Sequence, residues 1–332
     1  MKKTLLMLAL CAACLNAGAE PVQYWLNGVS TEGGWKDVNK VMSKDDITGD
    51  SSLCWAAASS NVISWWQDQN AQQLAGRGNN IPQGEQDIFN AFNDAFGNAG
   101  LDNYVGLRWF MDGAQDVFSE VLYEGEDGEP DYTLGDAFFD PSSTTHGGFY
   151  KDIVIDAPSA VLTYTQFVHD EEIPVLVRDV MQLDEFTGYL VSCMKDGYGV
   201  SLGLVGSYGD HAITLWGLEV GEDGYLTKMW VTDSDDKAAS TAGVDGLIPL
   251  ELTRVTKSKD TADKGLQQYE AYEIRDLLGE KGGLWYHGSD EYIDSFAALN
   301  AHVQFVSRSV PEPCTGTLSL LALAGLCARR RK

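Results

Sequence analysis

The chain has 332 residues, 44% hydrophobic and 11% aromatic, with 23 Lys and Arg against 49 Asp and Glu, for a net charge of -26. That composition supplies a substantial core, and with only 22% charged residues it does not describe a disordered acidic chain. The acidic balance argues against binding a phosphate backbone, which needs clustered Lys and Arg, so nucleic acid is not an expected partner.

In chain order, residues 1–19 read as a secretory signal. Lys2 and Lys3 form its charged start, Thr4 to Leu15 its apolar stretch, and Ala17-Gly18-Ala19 a cleavage site before Glu20. Trp35 to Asp50 is polar and irregular. A turn at Gly49-Asp50-Ser51-Ser52 offers Ser51 or Ser52 as an N-cap for a helix from Leu53 to about Gln73, which lacks Gly and Pro and spaces Ala58, Val62, Trp65 and Trp66 at helical intervals. A second helix is expected over Gln86–Phe96. Residues 97–150 read as loops with short elements, and Glu124–Asp131 as a solvated acidic turn. The pattern then predicts a helix over Leu183–Lys195 and strands over Tyr198–Leu204, Ala212–Leu218 and Leu226–Thr232. A helix-rich first half and a strand-rich second half predict an α+β protein with two lobes.

At the C-terminus, Val310-Pro311-Glu312-Pro313 precedes an apolar run from Leu318 to Ala328 and the basic stop Arg329-Arg330-Arg331-Lys332. The run falls short of the roughly 20 residues that span a bilayer. The order of the three parts resembles the PEP-CTERM sorting tails of Gram-negative bacteria, which implies an exosortase-type processing enzyme as a partner. The expected division is therefore a signal at 1–19, a catalytic domain at 20–309 and a sorting or anchor segment at 310–332. The protein would be secreted or held at the cell surface. Of six cysteines, only Cys54 and Cys193 fall in the body.

Cys54 lies at the first turn of the predicted helix, where orphan N–H groups and the helix dipole favour a thiolate and can receive an oxyanion. His211 heads a predicted strand in Gly209-Asp210-His211-Ala212-Ile213-Thr214-Leu215-Trp216-Gly217. A hairpin centred near Glu222 would set His211 opposite Asp233, with Ile213, Leu215, Met229 and Val231 on the same face. A carboxylate so placed holds the imidazole in one tautomer and stabilises imidazolium. No HExxH occurs, and the one CxxC, Cys11-Ala12-Ala13-Cys14, falls in the expected signal, so neither a metal nor a cofactor is expected. Lys40, read by itself, is a loop cation.

Gly34-Trp35-Lys36-Asp37-Val38-Asn39-Lys40, Leu53-Cys54-Trp55-Ala56-Ala57-Ala58 and Trp65-Trp66 resemble the nucleophile region of the IdeS/Mac cysteine endopeptidases. The His211–Gly217 segment and Val231-Thr232-Asp233-Ser234-Asp235 resemble that family's His and paired-Asp motifs. The resemblance implies a papain-like, two-lobed fold with the nucleophile at a helix N-terminus and His and Asp on an antiparallel sheet. It implies Cys54 as nucleophile, His211 as acid and base, Asp233 as orienting carboxylate, Asp235 as a supporting one, and Lys40 in the oxyanion site. The implied substrate is an extracellular protein, immunoglobulin among the candidates. Residues 76–180 carry no visible match. Two alternatives stand beside this one: transglutaminase-like acyl transfer by the same groups, and a silent surface binding protein with Cys54 tied to Cys193.

Overall fold

The computed structural model describes residues 20–40, 50–78, 80–113, 122–124, 130–133, 145–169, 177–206, 209–235, 246–276 and 292–307. The expected signal at 1–19, the tail at 310–332 and the centre of the acidic turn at 125–129 lie outside them. In order, the elements are β1 (Val22–Trp25), α1 (Cys54–Gln69), α2 (Ala71–Leu74), α3 (Glu85–Phe96), α4 (Asn103–Asp112), β2 (Leu122–Glu124), β3 (Pro130–Thr133), β4 (Val161–Thr165), β5 (Phe167–His169) and β6 (Val177–Val180). There follow α5 (Leu183–Lys195), β7 (Tyr198–Gly206), β8 (Gly209–Val220), β9 (Leu226–Thr232), β10 (Ile248–Thr261), β11 (Gly265–Asp276) and β12 (Tyr292–Asn300).

The strands overturn the two-lobed, papain-like expectation. β8, β7, β12, β11, β10 and β9 pair in that order, and β9 returns to β8, closing an antiparallel barrel. Two further strands extend it. β1 takes the edge of β8 at Gly217–Val220 that β7 leaves unpaired, and β4 takes the edge of β12 at Ser295–Leu299 beyond the short β11 pairing. The N-terminal β1 thus belongs to the same sheet as the C-terminal strands. Leu202, Leu215, Val231, Ile248 and Phe296 share one continuous core with Trp55, Val62, Trp66 and Phe92 from the helices, so no boundary separates a helical lobe from a β lobe. The sequence expectation failed because β10 and β11 are amphipathic over 14 and 12 residues, polar on one face, and lack the continuous apolar runs that advertise buried strands.

α1 is the helix that the barrel packs against. Every residue from Trp55 to Gln67 is buried, so it is covered on all sides, by β7 and β8 on one flank and by α3 and α4 on the other. Trp55 meets Phe92 and Phe96 edge-on at 5.5 and 5.2 Å and donates from Nε1 to the Ala99 carbonyl at 2.8 Å. Gly106 of α4 lets that helix approach: a Cβ there would stand 2.4 Å from Ser59 Oγ. The helix starts one residue later than expected. Leu53 is its N-cap, while Ser51 and Ser52 are held instead by the side chain of Asn98. α4 lies in the stretch read as loop.

Candidate active site

Three segments meet at the N-terminus of α1. The first is the extended chain ending at Lys40. Its Val38 N–H donates to Asn61 Oδ1 at 3.0 Å, Thr232 Oγ1 donates to the Lys36 carbonyl at 2.8 Å, and the Lys40 N–H donates to the Ser234 carbonyl at 2.9 Å. Gly34 makes the run possible with φ 88°, and a Cβ there would overlap the Gly28 carbonyl. The second segment is the start of α1, where helix geometry leaves the Cys54 N–H outside the intrahelical ladder. The third is the barrel rim, where β8 begins and β9 ends.

The five residues singled out in the sequence come together there. His211 Nε2 lies 2.8 Å from Asp233 Oδ1, and its Nδ1 lies 4.0 Å from Asp235 Oδ2. His211 is also hydrogen-bonded to Cys54, and with Nε2 engaged by Asp233 the ring has Nδ1 to offer the thiol. Lys40 Nζ lies 2.8 Å from Asp235 Oδ1 and donates to the Ser51 carbonyl at 2.7 Å. Asp233 Oδ1 also accepts the Asp235 N–H at 3.1 Å, which fixes the carboxylate against its own turn. Asp233 and Asp235 are fully buried, Lys40 is 3% exposed, and Cys54 is partly accessible.

The hairpin register differs from the expected one. Thr214 pairs with Thr232 and Leu215 with Val231, with shifts between Leu215 and Gly217 and between Glu219 and Val220. Asp233 is therefore not a cross-strand partner of His211. It lies just beyond the last ladder pair, on the turn that ends β9, and reaches the ring through its side chain.

The electrostatics couple these groups. Burial raises the Cys54 pKa, but the hydrogen bond from His211 and the charges of His211 and Lys40 outweigh it, so the thiol lies below its ordinary 9.0 despite opposition from Asp235. Burial lowers His211, yet the charge and hydrogen bond of Asp233 hold it well above 6.5. Burial would raise Asp233, but His211 and the Asp235 N–H keep it below 3.8. Asp235 is raised by burial and by Asp233, against the pull of His211 and Lys40. The arrangement favours a thiolate–imidazolium pair. One imidazole nitrogen and two carboxylates, from His211, Asp233 and Asp235, lie within 4.8 Å, a set able to ligate a metal ion. The Lys40 ammonium already sits on Asp235 Oδ1, so the chain supplies its own cation to this corner.

The family model described as Mac 1 matches residues 19–95. The IgM protease of Streptococcus suis (strain P1/7) is 26% identical over 263 residues, which is 74% of this chain and 21% of that protein. These matches support the IdeS/Mac family for this chain. The Mac match contains Lys40 and Cys54, whereas His211, Asp233 and Asp235 come from sequence beyond it. The chain spans about a fifth of the length of the relative.

Cys54 and Cys193 are both free. Cys193 is buried in α5, and burial, aided by Asp196, pushes its thiol up to about 11. The residue that sequence reasoning missed is Asn61. Two turns into α1 and 1% exposed, it accepts from Val38 and donates from Nδ2 to Thr214 Oγ1 at 3.1 Å, joining the Lys40 segment, the helix and the barrel. An Asn directly before Val62 and Ile63, in a helix otherwise rich in Ala and Trp, was its available signal.

Proposed function

We propose that the chain is an exported cysteine endopeptidase acting on extracellular proteins, with immunoglobulin the first substrate class to assay, since the streptococcal relative is an IgM protease. The observation that carries the reading is the Cys54–His211 hydrogen bond backed by Asp233 on the far ring nitrogen. In this reading the Cys54 thiolate attacks the peptide carbonyl carbon, and the carbonyl π electrons move onto oxygen. The Cys54 N–H and the Lys40 ammonium stabilise that oxyanion. Collapse re-forms the carbonyl, breaks the C–N bond and sends the His211 proton to the leaving amine. His211 then takes a proton from water, whose oxygen displaces the thiolate and releases the acid. Asp233 holds the ring, and Asp235 holds Lys40. Export by residues 1–19 and sorting at the cell envelope by residues 310–332, with an exosortase-type partner, are part of the proposal. The test is incubation of the mature protein and its Cys54→Ala variant with immunoglobulins and a diverse protein mixture, followed by mapping of new termini. The expected result is cleavage by the parent alone, and equal cleavage by the variant ends the reading.

A further inference from the structure

Carboxylates from three elements face the same end of β7. Asp210 immediately precedes His211 and, by strand alternation, points to the other face of β8; it lies opposite Val205, which in turn lies opposite Tyr292. Asp294 occupies the irregularity of β12 between Ile293 and Ser295. Asp102 is the N-cap of α4, whose next residue, Asn103, donates from Nδ2 to the Ser201 carbonyl at 3.0 Å and so seats the helix start over β7. The acids sense one another: burial, then the charges of Asp210 and Asp102, push Asp294 up to about 6 against a hydrogen bond from Ser295.

The floor of this place is built from small residues. Gly203, opposite Ala212 and Ser295, carries no side chain, and a Cβ there would stand 2.2 Å from Ser295 Oγ and 3.3 Å from Asp294 Oδ1; its absence lets both lie against the strand. On the same face of β7, Ser201 is fully buried, and its hydroxyl lacks a hydrogen-bond partner among the described residues. Such an unmet buried group destabilises the fold, a cost that a bound donor would remove. Asp210 adjoins in the chain His211, the hydrogen-bond partner of Cys54, which sets this place within reach of a peptide at the thiol.

The geometry points to a specificity subsite in which Asp102, Asp210 and Asp294 receive an Arg or Lys side chain of the peptide presented to Cys54. This deepens the peptidase reading and rests on it. Asp294, half-buried, gains more from an incoming cation than an isolated surface acid does, and the exposed Asp102 and Asp210 add their charges beside it. Among the described residues, the set close enough to ligate one compact ion is His211, Asp233 and Asp235, not these three. Wider spacing suits a guanidinium or ammonium with several donors.

The test has two arms. With the full-length mature protein, peptides differing only by Arg or Gln at each position around the cleaved bond should show about a tenfold preference for Arg at one fixed position. Asp294→Asn, and separately the exposed Asp210→Asn, should each lower the Arg-to-Gln ratio of kcat/KM several-fold, and Asp210→Lys should turn the preference toward Glu. In the second arm, the Cys54→Ala variant should bind a fluorescent Arg peptide about tenfold more tightly than its Gln twin. That preference persisting without cleavage by the parent would support the subsite while sinking the peptidase reading. Cleavage or binding indifferent to Arg, or an unchanged ratio in both Asn variants, overturns the subsite. A preference abolished by acetylating the peptide's amino terminus also overturns it, in favour of recognition of the α-amine.

Discussion

Lys40 Nζ and Asp235 Oδ1 are 2.8 Å apart, and neither side chain keeps more than 1% of its exposure. An ion pair this deep gives up the hydration of both charges, so its worth lies in position. Lys40 is held at three points, by Asp235, by the Ser51 carbonyl and, through its own N–H, by the Ser234 carbonyl. Each of these partners belongs to the turn before Cys54 or to the turn after β9. The pair therefore ties the turn before Cys54 to the carboxylates beside His211.

Replacing Lys40 by Met removes the cation and leaves Asp235 buried. Loss of one partner of a buried pair typically costs about 3–5 kcal/mol. Asp235 is already raised by burial and by Asp233, and losing Lys40 raises it further. A carboxyl whose folded pKa exceeds its unfolded one favours the fold at acid pH and loses that stabilisation as pH rises through the unfolded value and above it. The deficit of Lys40→Met should thus be smaller near pH 4 than at pH 8, measured by urea unfolding at both. An equal deficit at the two pH values would count against a charged Asp235 in the parent.

Asp233→Asn isolates the support of the imidazole. Burial alone lowers His211, and Asp233 reverses that. In the variant the ring should therefore lose its proton at lower pH. The alkaline limb of the kcat/KM profile should move toward acid, with a loss of roughly 10²–10⁴-fold at its maximum. Stability follows the same sign. In the parent, the raised His211 contributes stability that is fully present below its ordinary 6.5 and is lost as pH rises through its folded pKa. The variant should lack that pH-dependent part. An unmoved alkaline limb would remove Asp233 from its orienting role.

The two free thiols make a contrast that needs no substrate. Cys54 is partly accessible with a lowered pKa, whereas Cys193 is 4% exposed and pushed up to about 11. Of the two thiols among the described residues, iodoacetamide at pH 7 should modify Cys54 first, with Cys193 slower on the order of 100-fold or more from its thiolate fraction alone. Peptide mapping after timed quenching reads this directly. Preferential labelling of Cys193, or a Cys54–Cys193 disulfide, would favour the silent binding protein.

The meeting of the candidate residues was more legible in the sequence than the architecture, for a physical reason. Cys54 and His211 sit in short segments whose residue types are unusual where they stand, a local turn brings Asp233 and Asp235 to one another, and Lys40 is marked only by the family resemblance. Closure of the barrel depends instead on pairings between strands far apart, such as β1 with β8 and β12 with β7, whose partners leave no local mark. The hairpin register differs because the chain turns about Asp223, one residue later than expected, with Val220 opposite Leu226; the bulges in β9 and β8 then cancel, and Thr214 meets Thr232. α4 was overlooked because Gly106 sits mid-helix, where only the approach of Ser59 explains it.

Asn61 supplies the last prediction, since its role is positional. Its Oδ1 takes the Val38 N–H and its Nδ2 reaches Thr214 and Thr232 at 3.1 and 3.5 Å, all in the interior. Asn61→Leu keeps the volume and removes both functions, leaving a buried backbone N–H unmet at a cost of about 1–3 kcal/mol. Val38 precedes Lys40 by two residues, so a relaxed Val38 displaces the ammonium from its place between Ser51 and Asp235. Denaturant unfolding should show the stability loss. kcat should fall more than KM rises if the ammonium has its proposed place at the developing oxyanion rather than on the bound substrate. A variant with lowered stability and undiminished kcat would separate the helix–barrel joint from the chemistry and leave Asn61 a purely structural residue.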